Sequence, residues 1–171
     1  MIKGIMVSTW KMSYEGLKSG AELLVSGEPV HRGILTAVRA VEDDPEYVSV
    51  GYGGLPNIEG QVELDAAYMD GDALGFGGIM AVRNIKNPIE VAYDLSRYGR
   101  NCLLAEDGAM MYAQKNGFEF RSMMTEKSRK RYEEADKNLD MERLEAYGGH
   151  DTVCVIGKDL KGSMACGVST S

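Results

Sequence analysis

The sequence is short of basic residues, of paired cysteines and of long apolar runs, and each shortage closes off a class of function. Lys and Arg number 19 against 26 Asp and Glu, a formal net charge of −7. A nucleic-acid surface needs a basic patch, so no nucleic-acid partner is expected. The one basic cluster, 127–131, runs straight into Glu133, Glu134 and Asp136 and reads as a solvated helix face. The three cysteines, Cys102, Cys154 and Cys166, are odd in number and show no C-x-x-C spacing. That pattern argues against a disulfide framework and for a reducing, cytoplasmic compartment. Cys154 and Cys166 fall in apolar, strand-like runs and read as small buried hydrophobes. No run reaches the ~18 apolar residues of a membrane span, so no membrane partner is expected. The apolar run at the N-terminus is too short for a secretory leader and enters a strand directly. Neither a Gly-Lys-Ser/Thr nor a G-x-G-x-x-G pattern occurs, so Gly51, Gly53 and Gly54 read as a tight loop more than as a phosphate cradle. No internal repeat or low-complexity stretch is visible.

What is present is a globular pattern. Hydrophobic residues make up 44% and charged residues 26% of 171, which suits one domain with a core. A first strand is expected over 4–9, with Trp10 where it meets a loop, as either a core aromatic or a pocket wall. A helix is expected over 13–26, with Leu17, Ala21, Leu24 and Val25 on its buried face and Gly27 past its end. Pro29 suits the first turn of a second helix, striped by Ile34, Leu35, Val38 and Val41 and stopped by Asp43-Asp44-Pro45. Runs 62–69 and 74–82 read as paired strands turning at Asp70-Gly71-Asp72. Asn87-Pro88 opens a third helix, 101–105 is a short strand, and Asp107 caps a fourth helix ended by Asn116-Gly117. The segment 125–144 reads as an exposed helix leading into a mobile linker. A final hairpin spans 152–158 and 163–169. Strands alternating with helices predict an α/β sheet covered by helices.

One junction stands out. Gly148-Gly149-His150-Asp151 is polar and loop-like, whereas Thr152 opens a β-branched, apolar run that reads as a buried strand. A threonine placed so becomes a nucleophile if the Asp151–Thr152 bond is cut, because its freed α-amine lies within reach of its own hydroxyl and serves as base. On spacing alone, a strand-start threonine behind an ordinary turn is the competing reading.

A set of collinear segments resolves this toward chemistry. Ser8-Thr9-Trp10, the loop from Ser49 to Gly54, Leu64-Asp65-Ala66, Ile85-Lys86-Asn87-Pro88, His150-Asp151-Thr152 and Ser169-Thr170-Ser171 together resemble the glycosylasparaginase branch of the N-terminal-nucleophile hydrolases, within the type 2 asparaginases. The resemblance implies a four-layer α-β-β-α sandwich, incomplete in this chain, with 1–171 as one partial domain. It implies autocleavage into an α-chain, 1–151, and a β-chain beginning at Thr152. The implied reaction is hydrolysis of the amide joining N-acetylglucosamine to asparagine, without metal or cofactor. By motif, Thr152 is the nucleophile and Thr170 a second hydroxyl beside it. Trp10 and Ser49 line the aspartyl pocket, and His150 and Asp151 belong to the cleavage site. A small glycosyl-asparagine or β-aspartyl substrate is the implied partner, with a homodimer of αβ units in the complete protein. Isoaspartyl peptidases of the same superfamily are the nearest alternative, and an inactive truncated remnant is another. Those peptidases tend to open on His-Gly-Gly, where this chain has Ser8-Thr9-Trp10.

Two departures are visible. Cys154 stands where the family usually has glycine, putting a side chain where backbone normally approaches closely. The family's β-chain also runs well past the equivalent of Ser171, through the arginine and aspartate that grip the substrate and through the oxyanion donors. The chain alone is therefore expected to be inactive, to bury its core poorly and to leave an apolar sheet edge open.

Overall fold

The computed structural model describes residues 4–100, 102–136 and 151–171. Its centre is one six-stranded sheet with the strand order β1-β5-β6-β2-β3-β4. The strands are β1 (Ile5–Ser8), β2 (Leu64–Asp70), β3 (Phe76–Val82), β4 (Leu103–Ala105), β5 (Val153–Lys158) and β6 (Met164–Thr170). All neighbours pair antiparallel except β3 with β4, which are parallel and joined through a helix. That crossover is what a parallel pair requires, while β2–β3 and β5–β6 close through tight turns. The last hairpin inserts between β1 and β2, so the final strands of the sequence occupy the middle of the sheet.

Among the described residues five α-helices accompany the sheet: α1 (Tyr14–Val25), α2 (Val30–Glu42), α3 (Pro88–Tyr98), α4 (Glu106–Lys115) and α5 (Glu126–Asp136). Helix α2 packs on β5 and β6, α3 on β2 and β3, and α4 on β3 and β4. Helix α1 packs chiefly on α2 and against β1. Among the described residues, no helix is long and apolar enough to cross a membrane.

The stripe of α2 behaves as expected, with Val30, Ile34, Ala37, Val38 and Val41 buried in one core cluster that also holds Ile89 of α3 and Val153 and Val155 of β5. The face of α1 does so only in part, since Leu24 is buried and Leu17 packs against the core but Val25 does not. Val25 is 72% exposed, and the buried positions are Gly16, Gly20 and Leu24. The reason is close helix–helix approach: a Cβ on Gly20 would lie 2.5 Å from the Gly33 carbonyl oxygen of α2. The small residues make the contact, and the bulky Val25 is turned out. The fourth helix also differs in its start. Ala105 occupies the N-cap position without a side-chain cap, and Asp107 lies inside the first turn. There it still suits the positive end of the helix. Helix α5 confirms the first part of the expected segment 125–144; the remainder, with the linker and His150, lies outside the described residues.

The sandwich is present as one helical cover and one sheet. On the helix side the sheet carries a cluster of buried residues, with Met6 of β1 and Leu104 of β4 partly buried against it. The apolar surface left open is a face, where an edge was expected. Register places Val7, Ile156, Cys166, Met69 and Phe76 in one row across five strands on that other face. Val7, Ile156, Met69 and Phe76 are all exposed. A sheet apolar on both faces is normally covered on both.

Candidate functional site

The site lies at the head of β5. Thr152 is the residue before the strand, and Val153, which follows, is buried. Its neighbour in the sheet, β6, runs antiparallel and ends at Thr170, so register alone brings the first residues of one strand to the last residues of the other. Val153 pairs with Ser169, which leaves Thr152 facing Thr170. The Thr152 hydroxyl donates to Thr170 Oγ1 at 3.2 Å. Thr170 Oγ1 in turn donates to the Ser49 carbonyl at 3.4 Å. The result is a short hydroxyl relay that starts on Thr152 and ends on a backbone acceptor.

Ser49 enters by its backbone. Its carbonyl takes both the Thr170 hydroxyl and the Ser171 amide, the latter at 2.9 Å, and the residue is buried. The glycines after it let this loop lie flat against α2. Gly51 has φ +64, and a Cβ there would stand 2.3 Å from the Glu42 carbonyl oxygen. Only glycine fits such a position without strain.

Trp10 lies two residues past the end of β1, with φ +61 and 61% of its surface exposed. The core-aromatic reading therefore fails, and the tryptophan is free to serve as a wall. The preceding residue fastens this segment to the start of β5. Thr9 Oγ1 donates to the Thr152 carbonyl at 2.9 Å and accepts the Cys154 amide at 2.9 Å. A cavity of about 400 Å³, lined by Lys11, Met12, Tyr14, Glu15 and Tyr47, opens between the chain following Trp10 and the chain preceding Ser49. Asp151 is half-buried, directly before Thr152. His150 lies outside the described residues. Cys154 projects to the open face, where its Sγ lies 3.7 Å from Cys166 Sγ. Both thiols are free, and burial pushes that of Cys166 up to about 12.

Sequence reasoning did not single out three participants. Thr9 and Ser169 lie inside quoted motifs but were given no role. Glu42 went unnoticed although it sits eight residues after Ile34, on the apolar stripe of α2. It is wholly buried. Burial pushes its carboxyl up to about 7, against hydrogen bonds from Ser169, Ile89 and Asn87. A charged residue at a stripe position was the available signal.

The sequence matches known proteins along its length. A sequence model described as asparaginase matches residues 4–171. An N(4)-(β-N-acetylglucosaminyl)-L-asparaginase of Elizabethkingia miricola is 33% identical over 169 residues, covering 99% of this chain and 49% of that protein. An isoaspartyl peptidase/L-asparaginase of Macaca fascicularis is 34% identical over 154 residues, covering 88% and 50%. The Homo sapiens isoaspartyl peptidase/L-asparaginase is 32% identical with the same coverage. The chain thus spans about half the length of the curated relatives it matches.

Proposed function

The chain belongs to the asparaginase family, and from that premise we propose that it carries the nucleophile half of an amidohydrolase acting on β-aspartyl amides. The observation that carries the reading is the Thr152 hydroxyl, at the head of a central strand and 3.2 Å from Thr170 Oγ1. Processing comes first. Thr152 Oγ1 attacks the Asp151 carbonyl carbon, the acyl group shifts from nitrogen to oxygen, and water releases a new N-terminus at Thr152. The Asp151 carboxylate is the proposed base for that step, with His150 beside it. The products are an α-chain, 1–151, and a β-chain from Thr152.

Hydrolysis then uses the same oxygen. The freed α-amine takes the Thr152 hydroxyl proton as the oxygen attacks the β-amide carbonyl. The amine leaving group takes a proton and departs, and a β-aspartyl ester of Thr152 remains. Water, deprotonated by the amine, opens the ester and regenerates the hydroxyl. Thr170 holds the Thr152 oxygen in line through the relay to Ser49. Trp10 and Ser49 bound the aspartyl group. Thr152 itself supplies nucleophile and base, so the scheme needs no metal.

Within this class we favour a glycosyl-asparagine substrate, cleaved between N-acetylglucosamine and asparagine. The relative from Elizabethkingia miricola matches almost the whole chain, and Trp10 stands where isoaspartyl peptidases tend to have His-Gly-Gly. Isoaspartyl peptidase activity is the second reading, favoured by relatives of equal identity. The open apolar face of the sheet suits a second sheet packed against it, with the αβ unit in a homodimer and a reducing, cytoplasmic compartment keeping the thiols free. The test is aspartate release, by the chain together with any sequence that follows Ser171, from N-acetylglucosaminyl-asparagine and from a β-aspartyl dipeptide. Faster release from the glycosyl substrate supports the first reading. Release from the dipeptide alone supports the second, and release from neither overturns both.

A further inference from the structure

Glu42 ends α2, and none of its surface reaches solvent. Its Oε1 accepts the Ser169 hydroxyl at 2.7 Å and the Ile89 amide at 3.0 Å, and its Oε2 accepts the Asn87 side-chain amide at 3.2 Å. These bonds satisfy the carboxylate. Burying a charge still costs more than filling the same volume with an apolar side chain, so the retained carboxylate asks for a reason. Part of the reason is local: the Ile89 amide belongs to the first turn of α3, whose amides lack partners within the helix, and negative charge suits that end. The Ser169 bond has no such explanation.

Ser169 lies on β6 with its side chain among the buried residues of the helix side. The next residue, Thr170, therefore points to the opposite face, toward Thr152. Anchoring Ser169 fixes the strand end from which Thr170 projects. The backbone of Glu42 does the matching task on the other side. Its carbonyl accepts the Tyr52 amide at 2.7 Å, with Gly51 packed directly against it. Two residues before Gly51 is Ser49, whose carbonyl holds the Thr170 hydroxyl and the Ser171 amide. Both supports of Thr170 hang from one residue.

We infer that Glu42 is a positioning residue for the Thr152–Thr170 hydroxyl pair, holding the end of β6 through its carboxylate and the Ser49 loop through its carbonyl. For its catalytic consequence the inference rests on the nucleophile reading of Thr152; for its geometry it does not. Ionised Glu42 fits all of its donors. A proton on either oxygen would face an N–H or O–H that already points there. The carboxyl titrates near neutrality because burial raises it to about 7, and the neighbouring Asp43 carboxylate adds to that effect. Asp43 is itself paired with Arg121 at 3.3 Å, and the groups that reach Glu42 from α3 and β6 are Asn87, Ile89 and Ser169, none of which titrates.

The experiment follows the threonine methyl signals of the 171-residue chain by nuclear magnetic resonance across pH 5–9. In the uncut chain Thr152 has no free amine to titrate. The Thr170 signal is expected to shift with a midpoint near the Glu42 value, and the shift should vanish in Glu42→Gln. Any pH response of Thr170 that does not come from Glu42 would persist in that variant and so separate itself. Ser169→Ala keeps the Ile89 and Asn87 bonds, serves where Glu42→Gln folds badly, and should also abolish the Thr170 shift. It should slow any self-cleavage before Thr152 by about tenfold or more, the scale of a small misplacement of reacting groups. A Thr170 signal that titrates identically in the parent and in Ser169→Ala overturns the inference and leaves Glu42 as the cap of α3. An uncut parent chain weakens the nucleophile reading instead, and the methyl titration still decides the role of Glu42.

Discussion

Thr9 and Thr152 are tied by their own atoms: the Thr9 hydroxyl donates to the Thr152 carbonyl and accepts the amide of Cys154, both at 2.9 Å. This side chain adds to the backbone bond from the Thr9 amide to the Cys154 carbonyl at 3.0 Å, just beyond the pairing of Ser8 with Val155. The bond sets the direction in which the main chain at Thr152 leaves the sheet.

Thr9→Val removes both bonds at nearly constant shape. Each is exposed, so a loss of about 1–2 kcal/mol is expected in denaturant unfolding, from typical net hydrogen-bond values. Self-cleavage should fall more steeply than stability does, since the variant misaligns the scissile bond. Equal self-cleavage rates in parent and variant, measured by fragment mass, would show that Thr9 only staples the strand.

The pH dependence of stability should carry the mark of Glu42. Its carboxyl is raised from an ordinary 4.5 to about 7 in the folded chain. A raised carboxyl binds its proton more tightly when folded, so its contribution is fully present below about 4.5 and is lost as pH rises toward 7. The loss is on the order of 3 kcal/mol by linkage. Glu42→Gln should therefore gain stability over the parent between pH 4.5 and 7 and hold that gain above it. Unfolding midpoints across that range check this; a gain that does not change with pH contradicts it.

The open face should bind hydrophobic dye and drive association. Ile156→Lys with Met69→Lys should reduce both, because each side chain is exposed on that face. Surface changes of this kind usually leave stability within about 0.5 kcal/mol. Size-exclusion chromatography with a dye titration reads the effect. A parent chain that elutes as a dye-silent monomer would mean that the face is already protected.

Much of this was legible in the sequence. The six strands and five α-helices of the described residues were anticipated within a few positions, since alternation and helical stripes report burial directly, whereas the short 3-10 turn over Lys11–Ser13 was not. The run Val153-Cys154-Val155-Ile156 is apolar on both faces, and the structure gives the cause: one face meets α2 and the other stands open. The contact face of α1 was misread because glycines score as weak core residues, although closeness of approach, not bulk, joins that helix to α2. The roles of Thr9, Ser169 and Glu42 were hidden because they depend on contacts across more than a hundred residues for two of the pairs, Thr9 with Thr152 and Glu42 with Ser169. Trp10 showed itself as a strand end, but its outward direction comes from a backbone angle that no composition reveals.

Thiol labelling should separate the cysteines. Cys102 is exposed, whereas the Cys166 thiol is pushed up to about 12 by burial and by its contact with Cys154. The thiolate is the reacting form, so Cys102 should label first at neutral pH and Cys166 slowly. Peptide mass spectrometry identifies the modified residue, and faster labelling of Cys166 would contradict the assigned burial.

The most direct measurement is the intact mass of the purified polypeptide, with any sequence that follows Ser171, for the parent and for Thr152→Ala, Thr152→Ser and Thr170→Ala. The parent is expected as two fragments divided between Asp151 and Thr152. Thr152→Ala should remain a single chain without aspartate release, Thr152→Ser should still divide, more slowly, and Thr170→Ala should divide in part yet hydrolyse poorly. A Thr152→Ala protein that still splits at this bond, or still releases aspartate, would contradict the assignment of Thr152 as the nucleophile.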